Sequence, residues 1–245
     1  MHDILSVGDA TLDVFLVINE VQVKCTLDTE RCEICFNYAD KIPVESMTKV
    51  NGSGNASNNA VGSVRLGLDA AVFSILGDDD IGKGILKHWK NEGIDIKHAR
   101  FDKGRGTNYS TVLNFKGERT ILVYHEHRDY RFPANLPKVK WVYYTSLGKG
   151  SETMHGPLLK YCHKTKAKLV FQPGTFQLRL GKEALRPVIA ASEIVVLNKE
   201  ESELIVGDST REVKVLLERL RALGCEIAVI TDGANGAYAF DGKRH

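Results

Sequence analysis

The chain has 245 residues, with 33 basic and 31 acidic side chains and a formal net charge of +2. That balance excludes a nucleic-acid arm or a polybasic membrane patch, and no apolar run approaches the roughly 20 residues of a membrane span. A compact fold of this length buries roughly 70% of its unfolded surface, so its core needs no disulfide or metal staple. The opening MHDILSVGDATLDV has no basic n-region and no long apolar run, so no signal peptide is expected and the cytoplasm is the default location.

In chain order, short apolar runs rich in β-branched and aromatic residues alternate with helix-period segments. Strands are expected at 4–8, 13–18, 70–76, 108–115, 119–125, 141–146, 168–172, 193–198 and 226–231. Helices are expected at 55–66, 81–92, 152–166, 182–191, 199–206 and 210–223. Ile81, Ile85 and Trp89 recur at i, i+4, i+8 and Gly93 stops their helix. Ser209 and Glu212 form a potential capping box ahead of Val213, Leu216, Leu217 and Leu220. From 141 onward the order strand, helix, strand repeats, which describes βαβ units and a parallel sheet covered on both faces. Residues 13–50 and 99–131 break that alternation and read as β hairpins projecting from the sheet. We find no internal repeat and no low-complexity linker, so residues 1–245 read as one domain with a β appendage.

Five cysteines, an odd number, argue against a disulfide framework. Cys25, Cys32 and Cys35 cluster, but zinc would need a fourth ligand and none is adjacent. Reduced thiols in an irregular insertion are expected, with no bound metal. GDDDIGKG (77–84) imitates the start of a P-loop. Gly84 then stands where Ser or Thr is needed, and Asp78, Asp79 and Asp80 would repel a phosphate. The expected structure is a strand-to-helix turn with acids at a helix N-terminus. HEHRDYRFPAN (125–135) contains H-R-D, yet no asparagine follows at kinase spacing and no D-F-G or A-P-E occurs. His125 and His127 would share one face of a strand, as a pocket wall or a metal site.

GSGNASNNAVG (52–62) is the most distinctive stretch. Gly52 and Gly54 permit positive φ and close approach by another molecule. Asn55 or Ser57 can cap a helix, and Asn58 and Asn59 sit in its first turn. The stretch is either a glycine-rich loop with an ordinary cap or a site for a hydroxyl-rich ligand.

A wider pattern bears on that choice. Residues 52–95 resemble the N-terminal signature of the ribokinase-like (PfkB) carbohydrate kinases. There a G-G-x-x-x-N turn runs through LG into a strand, then G-D-D-x-x-G and a helix. VGDATLDVFL (7–16) resembles the family's first strand, VVLNKEESELIVG (195–207) its N-x-x-E segment, and VITDGANGAYAF (229–240) its nucleotide-binding strand and glycine turn. The resemblance implies an α/β three-layer fold with a mostly parallel sheet between helices. It also implies a small β-sheet lid, through which the chain could form a homodimer, at about 13–50 and 99–131. The implied activity is transfer of the γ-phosphoryl of ATP, with Mg²⁺, to a hydroxyl of a sugar. A nucleoside is the alternative acceptor, with Tyr109, Phe115 and Tyr124 as a wall for the base, and a non-catalytic sugar-binding protein is the alternative class.

Carried over by position, the resemblance assigns Asp13, Gly54 and Asn58 to the substrate. It assigns Asn198, Glu201, Thr231, Gly233 and Gly236 to the phosphates, Mg²⁺ and nucleotide. Departures are Ser53 for the first glycine, Thr11 where ribokinase has asparagine, Gln172 where many relatives have Asn or Asp, and a long segment at 19–50. The family's D-T-x-G-A-G-D, with its catalytic aspartate, is absent. The chain reads as stopping inside a hairpin at Asp241-Gly242. The expectation is that the catalytic aspartate lies beyond His245 and that these residues alone are inactive.

Overall fold

A computed structural model describes residues 1–26, 32–207 and 212–244. Fifteen strands and seven α-helices are present among them: β1 (His2–Val7), β2 (Thr11–Ile18), β3 (Gln22–Cys25), β4 (Cys32–Cys35), β5 (Val44–Ser53), α1 (Asn55–Arg65), β6 (Ala70–Phe73), β7 (Ile75–Gly77), α2 (Asp80–Asn91), β8 (Arg100–Asp102), β9 (Asn108–Phe115), β10 (Glu118–Tyr124), β11 (Val139–Thr145), α3 (His155–Thr165), β12 (Lys168–Gln172), α4 (Thr175–Leu178), α5 (Lys182–Ala190), β13 (Ile194–Asn198), α6 (Lys199–Val206), α7 (Val213–Arg221), β14 (Ile227–Thr231) and β15 (Ala237–Phe240).

Seven strands form one sheet in the order β15-β14-β13-β12-β11-β1-β6. Every pairing is parallel except β14 with β15. Its strands are near-continuous apolar runs because both faces are covered. On β6, Ala71 and Phe73 join the large core with α3, α5 and α7, whereas Val72 joins a second cluster with Ala60, Ile85 and Trp89. Neither Asn55 nor Ser57 caps α1 as expected: the helix begins after Gly54 without a side-chain cap. The Ser57 hydroxyl instead donates to the Gly52 carbonyl and accepts from the Trp89 indole at 2.7 Å, locking the glycine turn onto α2.

A second sheet has the order β10-β9-β2-β5. It takes its strands from the two segments that break the βα alternation. Thr11 heads β2 immediately after β1, so the two sheets are joined by only three residues, Gly8, Asp9 and Ala10.

Three expectations need correction. The cysteine segment is a hairpin of β3 and β4 rather than irregular chain, and Cys25 and Cys32, opposite each other in register, form a disulfide. The pair is cross-strand, which brought the thiols together without any larger framework. His125 lies just past β10, so His125 and His127 do not share a strand face. His125 turns inward, while His127 is exposed and its carbonyl accepts from Arg105. The third is α7, which starts at Val213 after Glu212 with no side-chain cap; Ser209 lies outside the described residues. GDDDIGKG is a strand-to-helix turn: Asp79 caps α2 by accepting from the Gly82 N–H at 2.7 Å.

Candidate active site

The C-terminal ends of β1, β11 and β12 face the second sheet across a cavity of about 490 Å³. Parallel α/β sheets gather ligands at that edge. The cavity is lined by Asp9 from the end of β1, Thr11 and Asp13 from β2, and Gly54 and Asn55 from the glycine turn. Ser110 comes from β9, Ile121 and Val123 from one face of β10, and His125 follows them. Ser146 follows β11, and Thr175, Phe176 and Arg179 follow β12.

Asp13 is half-buried and accepts a hydrogen bond from the Thr11 hydroxyl. It sits opposite Ser110 in the parallel pairing of β2 with β9. Asp9 is deeper, 3% exposed, and its Oδ2 accepts from the Tyr130 phenol at 2.7 Å and the Gly148 N–H at 2.9 Å. Burial, then the Asp9 charge, pushes the Tyr130 phenol far above the ordinary tyrosine range, so it remains a donor. Arg179 stacks over Phe176 at 5.6 Å, and Phe176 meets His125 edge-on at 5.2 Å.

Gly54 holds φ at +94°. A Cβ there would lie 2.8 Å from the Asp9 carbonyl and 3.3 Å from Ala10 Cα. The bare backbone therefore serves first to let the turn pack on the strand carrying Asp9. Gly174 does the same for another wall, because a Cβ there would lie 2.1 Å from Ser146 Oγ.

The residues expected at the substrate separate. Asp13 and Gly54 line the cavity, but Asn58 does not. Asn58 lies one helical turn on, exposed, beside a shallow depression with Asn51, Gly52 and His88. Asn55 takes its place because it is the first residue of α1 and stands at the cavity mouth. Sequence reasoning also missed Asp9, Phe176 and Arg179, and had His125 as a pocket wall or metal site, but on a strand face shared with His127. The signal for Asp9 was its position, two residues past the apolar run of β1. Phe176 and Arg179 lie in and at the end of the four-residue α4, too short for any periodicity to aim them. Gln172, at the end of β12, accepts from the Tyr143 phenol at 2.5 Å and does not line the cavity.

The residues expected at the nucleotide come together on the next two strands. Asn198 and Thr231 are register partners at the ends of β13 and β14. Asn198 and Glu201 close a reciprocal cap at the start of α6: Asn198 Oδ1 accepts from the Glu201 N–H at 2.7 Å, and Glu201 Oε2 accepts from the Asn198 N–H at 2.9 Å. Burial raises the Glu201 carboxyl above its ordinary range; the Asn198 N–H opposes this and Glu200 adds to it. Gly233 and Gly236 take φ of +52° and +96° in the turn joining β14 to β15. Asp232 N–H donates to the Gly236 carbonyl at 2.8 Å, which holds that turn closed. This edge is exposed, offers a helix N-terminus and keeps Glu201 Oε1 free. One carboxylate beside a helix N-terminus fits the donor set that Mg²⁺ takes with a nucleotide's phosphates. Among the described residues no cluster of three His, Cys, Asp or Glu could hold a metal by itself. No described helix is long and apolar enough to cross a membrane.

The chain is similar to known kinases in sequence and in fold. An ATP-dependent 6-phosphofructokinase of Thermoanaerobacterium thermosaccharolyticum is 24% identical over 255 residues, covering 99% of this chain and 72% of that protein. An aminoimidazole riboside kinase of Salmonella typhimurium is 26% identical over 211 residues, covering 81% of this chain and 66% of its own length. The solved structure of ribokinase from Giardia lamblia superposes with a TM-score of 0.78 at 16% identity, covering 99% of this chain and 74% of that one. The sequence pattern of the pfkB family carbohydrate kinases matches residues 14–245, from the cavity strand β2 through the glycine turn beyond β14. By that match the chain belongs to the pfkB carbohydrate kinase family.

Proposed function

We propose that the cavity holds a sugar and that the adjoining edge of β13 and β14 holds ATP, so that a sugar hydroxyl meets the γ-phosphoryl group between them. The observation that carries this reading is the placement of Asp13, a half-buried carboxylate, on the wall of a cavity that is also lined by residues following β12, the strand paired with β13 and its Asn198–Glu201 cap. Phosphoryl transfer is governed by positioning and charge stabilisation. Asp13 accepts substrate hydroxyls, Asn55 and Ser110 supply further polar contacts, and Ile121 and Val123 close the cavity with an apolar surface that excludes water. The second sheet then acts as the lid over the sugar. Asn198, Glu201, Thr231, Gly233 and Gly236 form the nucleotide side, and Glu201 would hold Mg²⁺. The bound ion would supply charge neutralisation on the phosphates. No G-A-G-D run occurs in the 245 residues, so the roles assigned here are in binding and orientation.

Tyr109, Phe115 and Tyr124 do not line the cavity, whereas Phe176 does. For a nucleoside acceptor, the base would therefore stack on Phe176. Leu122 and Tyr124, 57% and 55% exposed on β10, give the lid an apolar outer face suited to a homodimer. The proposed setting is the cytoplasm, where thiol reductants would open Cys25–Cys32.

The test is calorimetric titration of D-fructose, D-ribose and inosine into the wild type and Asp13→Asn. Binding of at least one by the wild type, weakened about 10-fold or more in the variant, is expected. Equal affinity in both proteins would remove Asp13, and the cavity with it, from the substrate site.

A further inference from the structure

His125 stands where the lid returns to the main sheet. Its ring lines the cavity, and its Nδ1 lies 3.4 Å from Asp9 Oδ2. That nitrogen is fully enclosed and has no hydrogen-bond partner, and Asp9 Oδ1 is also enclosed and unpartnered. Buried polar atoms without partners are costly, and here the enclosed Nδ1 lies beside a carboxylate whose second oxygen is itself unpartnered. Nε2 is neither enclosed nor bonded to protein.

The carboxylate cannot swing away. Tyr130 and Gly148 both donate to its Oδ2, and Gly148 N–H also donates to the Tyr130 oxygen at 2.8 Å. Nor can the ring slide sideways, because Phe176 abuts it edge-on. A carboxylate only accepts hydrogen bonds, so the imidazole atom facing it is favoured as the N–H. The other nitrogen then carries a lone pair toward the cavity.

We propose that His125 is a specificity-determining residue of the sugar cavity, and that Asp9 is the positioning residue that fixes it as the Nδ1–H tautomer with Nε2 accepting from a substrate hydroxyl. The inference rests on the cavity being the sugar site. It deepens that reading by naming the group required: a free hydroxyl, rather than a carbonyl or ether oxygen, at the position facing His125. Asp13 accepts on the β2 wall and His125 on the lid return, so the ligand is a polyol that donates in two directions. A carbonyl presented to Nε2 would set two lone pairs against each other.

The test reads the ring nitrogens of His125 by ¹⁵N NMR at neutral pH in the wild type and in Asp9→Asn, with the melting temperature as a check on folding. The wild type should show the Nδ1–H form. Asp9→Asn keeps an acceptor for Tyr130 and Gly148 but loses the charge, and its ring should revert to the Nε2–H form that free histidine prefers. A merely structural Asp9 would leave the tautomer unchanged, and that result, or an Nε2–H ring in the wild type, would overturn the proposal. D-fructose, D-ribose and inosine supply the second arm. The ligand that binds should move the Nε2 resonance, and His125→Phe should bind it about tenfold more weakly while retaining the Phe176 contact. Unchanged affinity in His125→Phe would also overturn it. Failure of all three ligands to bind the wild type would count against the sugar reading instead, while the change from Nδ1–H in the wild type to Nε2–H in Asp9→Asn would still stand or fall by itself.

Discussion

The Asp79 carboxylate accepts from both the backbone N–H and the hydroxyl of Thr107, at 2.7 and 2.6 Å. It thereby ties the start of α2 to the residue that leads into β9 of the lid. The same contact explains the glycines of the surrounding motif. A Cβ on Gly77 would lie 2.4 Å from Thr107 N, and one on Gly82 would lie 2.1 Å from the Gly77 carbonyl. Burial raises the Asp79 carboxyl, but the bonds from Thr107 and Gly82 outweigh it and hold the group below its ordinary range. The unfolded chain therefore binds the proton more readily. This contribution is complete above the unfolded value of about 4 and is lost as pH falls through the folded value. Asp79→Ala should lose about 2–4 kcal/mol at pH 7, less than the sum of three charge-assisted bonds because they share one acceptor. Asp79→Asn should flatten the acid limb of a urea-derived stability profile. An unchanged acid limb would remove Asp79 from that role.

Gly54→Ala tests whether the glycine turn is built for packing or for the ligand. At φ +94° a Cβ is strained, and here it meets the Asp9 carbonyl. The variant should lose about 1–3 kcal/mol in ligand-free thermal or urea unfolding. Gly62, whose Cβ would meet nothing within 4 Å, is the control, and Gly62→Ala in α1 should be neutral or stabilising. Equal stability in the two variants would argue that the turn is held open only for the sugar.

These two positions show what was legible in the sequence. Buried strands with continuous apolar runs, such as β11, β12 and β13, fell within two residues of expectation because burial on both faces writes itself into composition. The longer helices followed from their periodicity, whereas the four-residue α4 was not expected. β3, β4 and most of β5 carry mostly exposed side chains without alternation, so residues 13–50 read as hairpins without strand bounds for these three. Asn198 and Glu201, assigned to the nucleotide side by the resemblance, form a reciprocal cap three residues apart, a local contact that needs no tertiary structure. The cavity was harder. Asp9 meets Tyr130 across 121 positions of sequence, and only tertiary structure joins such a pair. Asn58 matched a motif position, yet helical rotation carries it to the outer side and leaves Asn55 at the cavity.

The Cys25–Cys32 cross-link closes a separation of only seven residues within an exposed hairpin. Chain entropy for so short a loop is worth about 2–3 kcal/mol at most, and it acts on the hairpin alone. Reduction, or Cys25→Ser with Cys32→Ser, should leave the main melting transition within about 2 °C. Cys162 and Cys225 are buried, and burial pushes both thiols up to about 11. A thiol reagent should therefore label Cys35 alone in the oxidised native protein, and two further sites after reduction. Loss of the main transition on reduction would show that the hairpin supports the core.

Asp13→Ala should weaken sugar binding about 10- to 100-fold, the cost of losing charge-assisted hydroxyl contacts. Binding of ATP should hardly change, because Asp13 belongs to β2 while the residues proposed for the nucleotide stand at the ends of β13 and β14 and beyond. Calorimetry with each ligand separately makes the comparison. Parallel losses for sugar and ATP, accompanied by a lowered melting temperature, would mean that Asp13 supports the fold rather than the ligand.

Glu201 has two separable jobs, one seen and one proposed. The seen job is the cap, in which its Oε2 accepts from the Asn198 N–H. Glutamine can make the same bond, so Glu201→Gln should keep the cap, while Glu201→Ala should lose about 0.5–2 kcal/mol. The proposed job needs the negative charge, which glutamine lacks. Both variants should therefore bind ATP with Mg²⁺ at least about tenfold more weakly than the wild type, and ATP without Mg²⁺ about equally. The pH dependence gives an independent reading. Burial raises the Glu201 carboxyl, so the folded chain keeps this proton to higher pH than the unfolded chain does. Stability from this group is then present at low pH and declines as pH rises above the unfolded value of about 4.3. Glutamine has no proton to lose, so the stability of Glu201→Gln relative to the wild type should improve as pH rises through that window. Urea titrations at pH 4 and pH 7 measure it. Wild-type affinity for ATP with Mg²⁺ in Glu201→Gln would leave the carboxylate with the cap as its whole function.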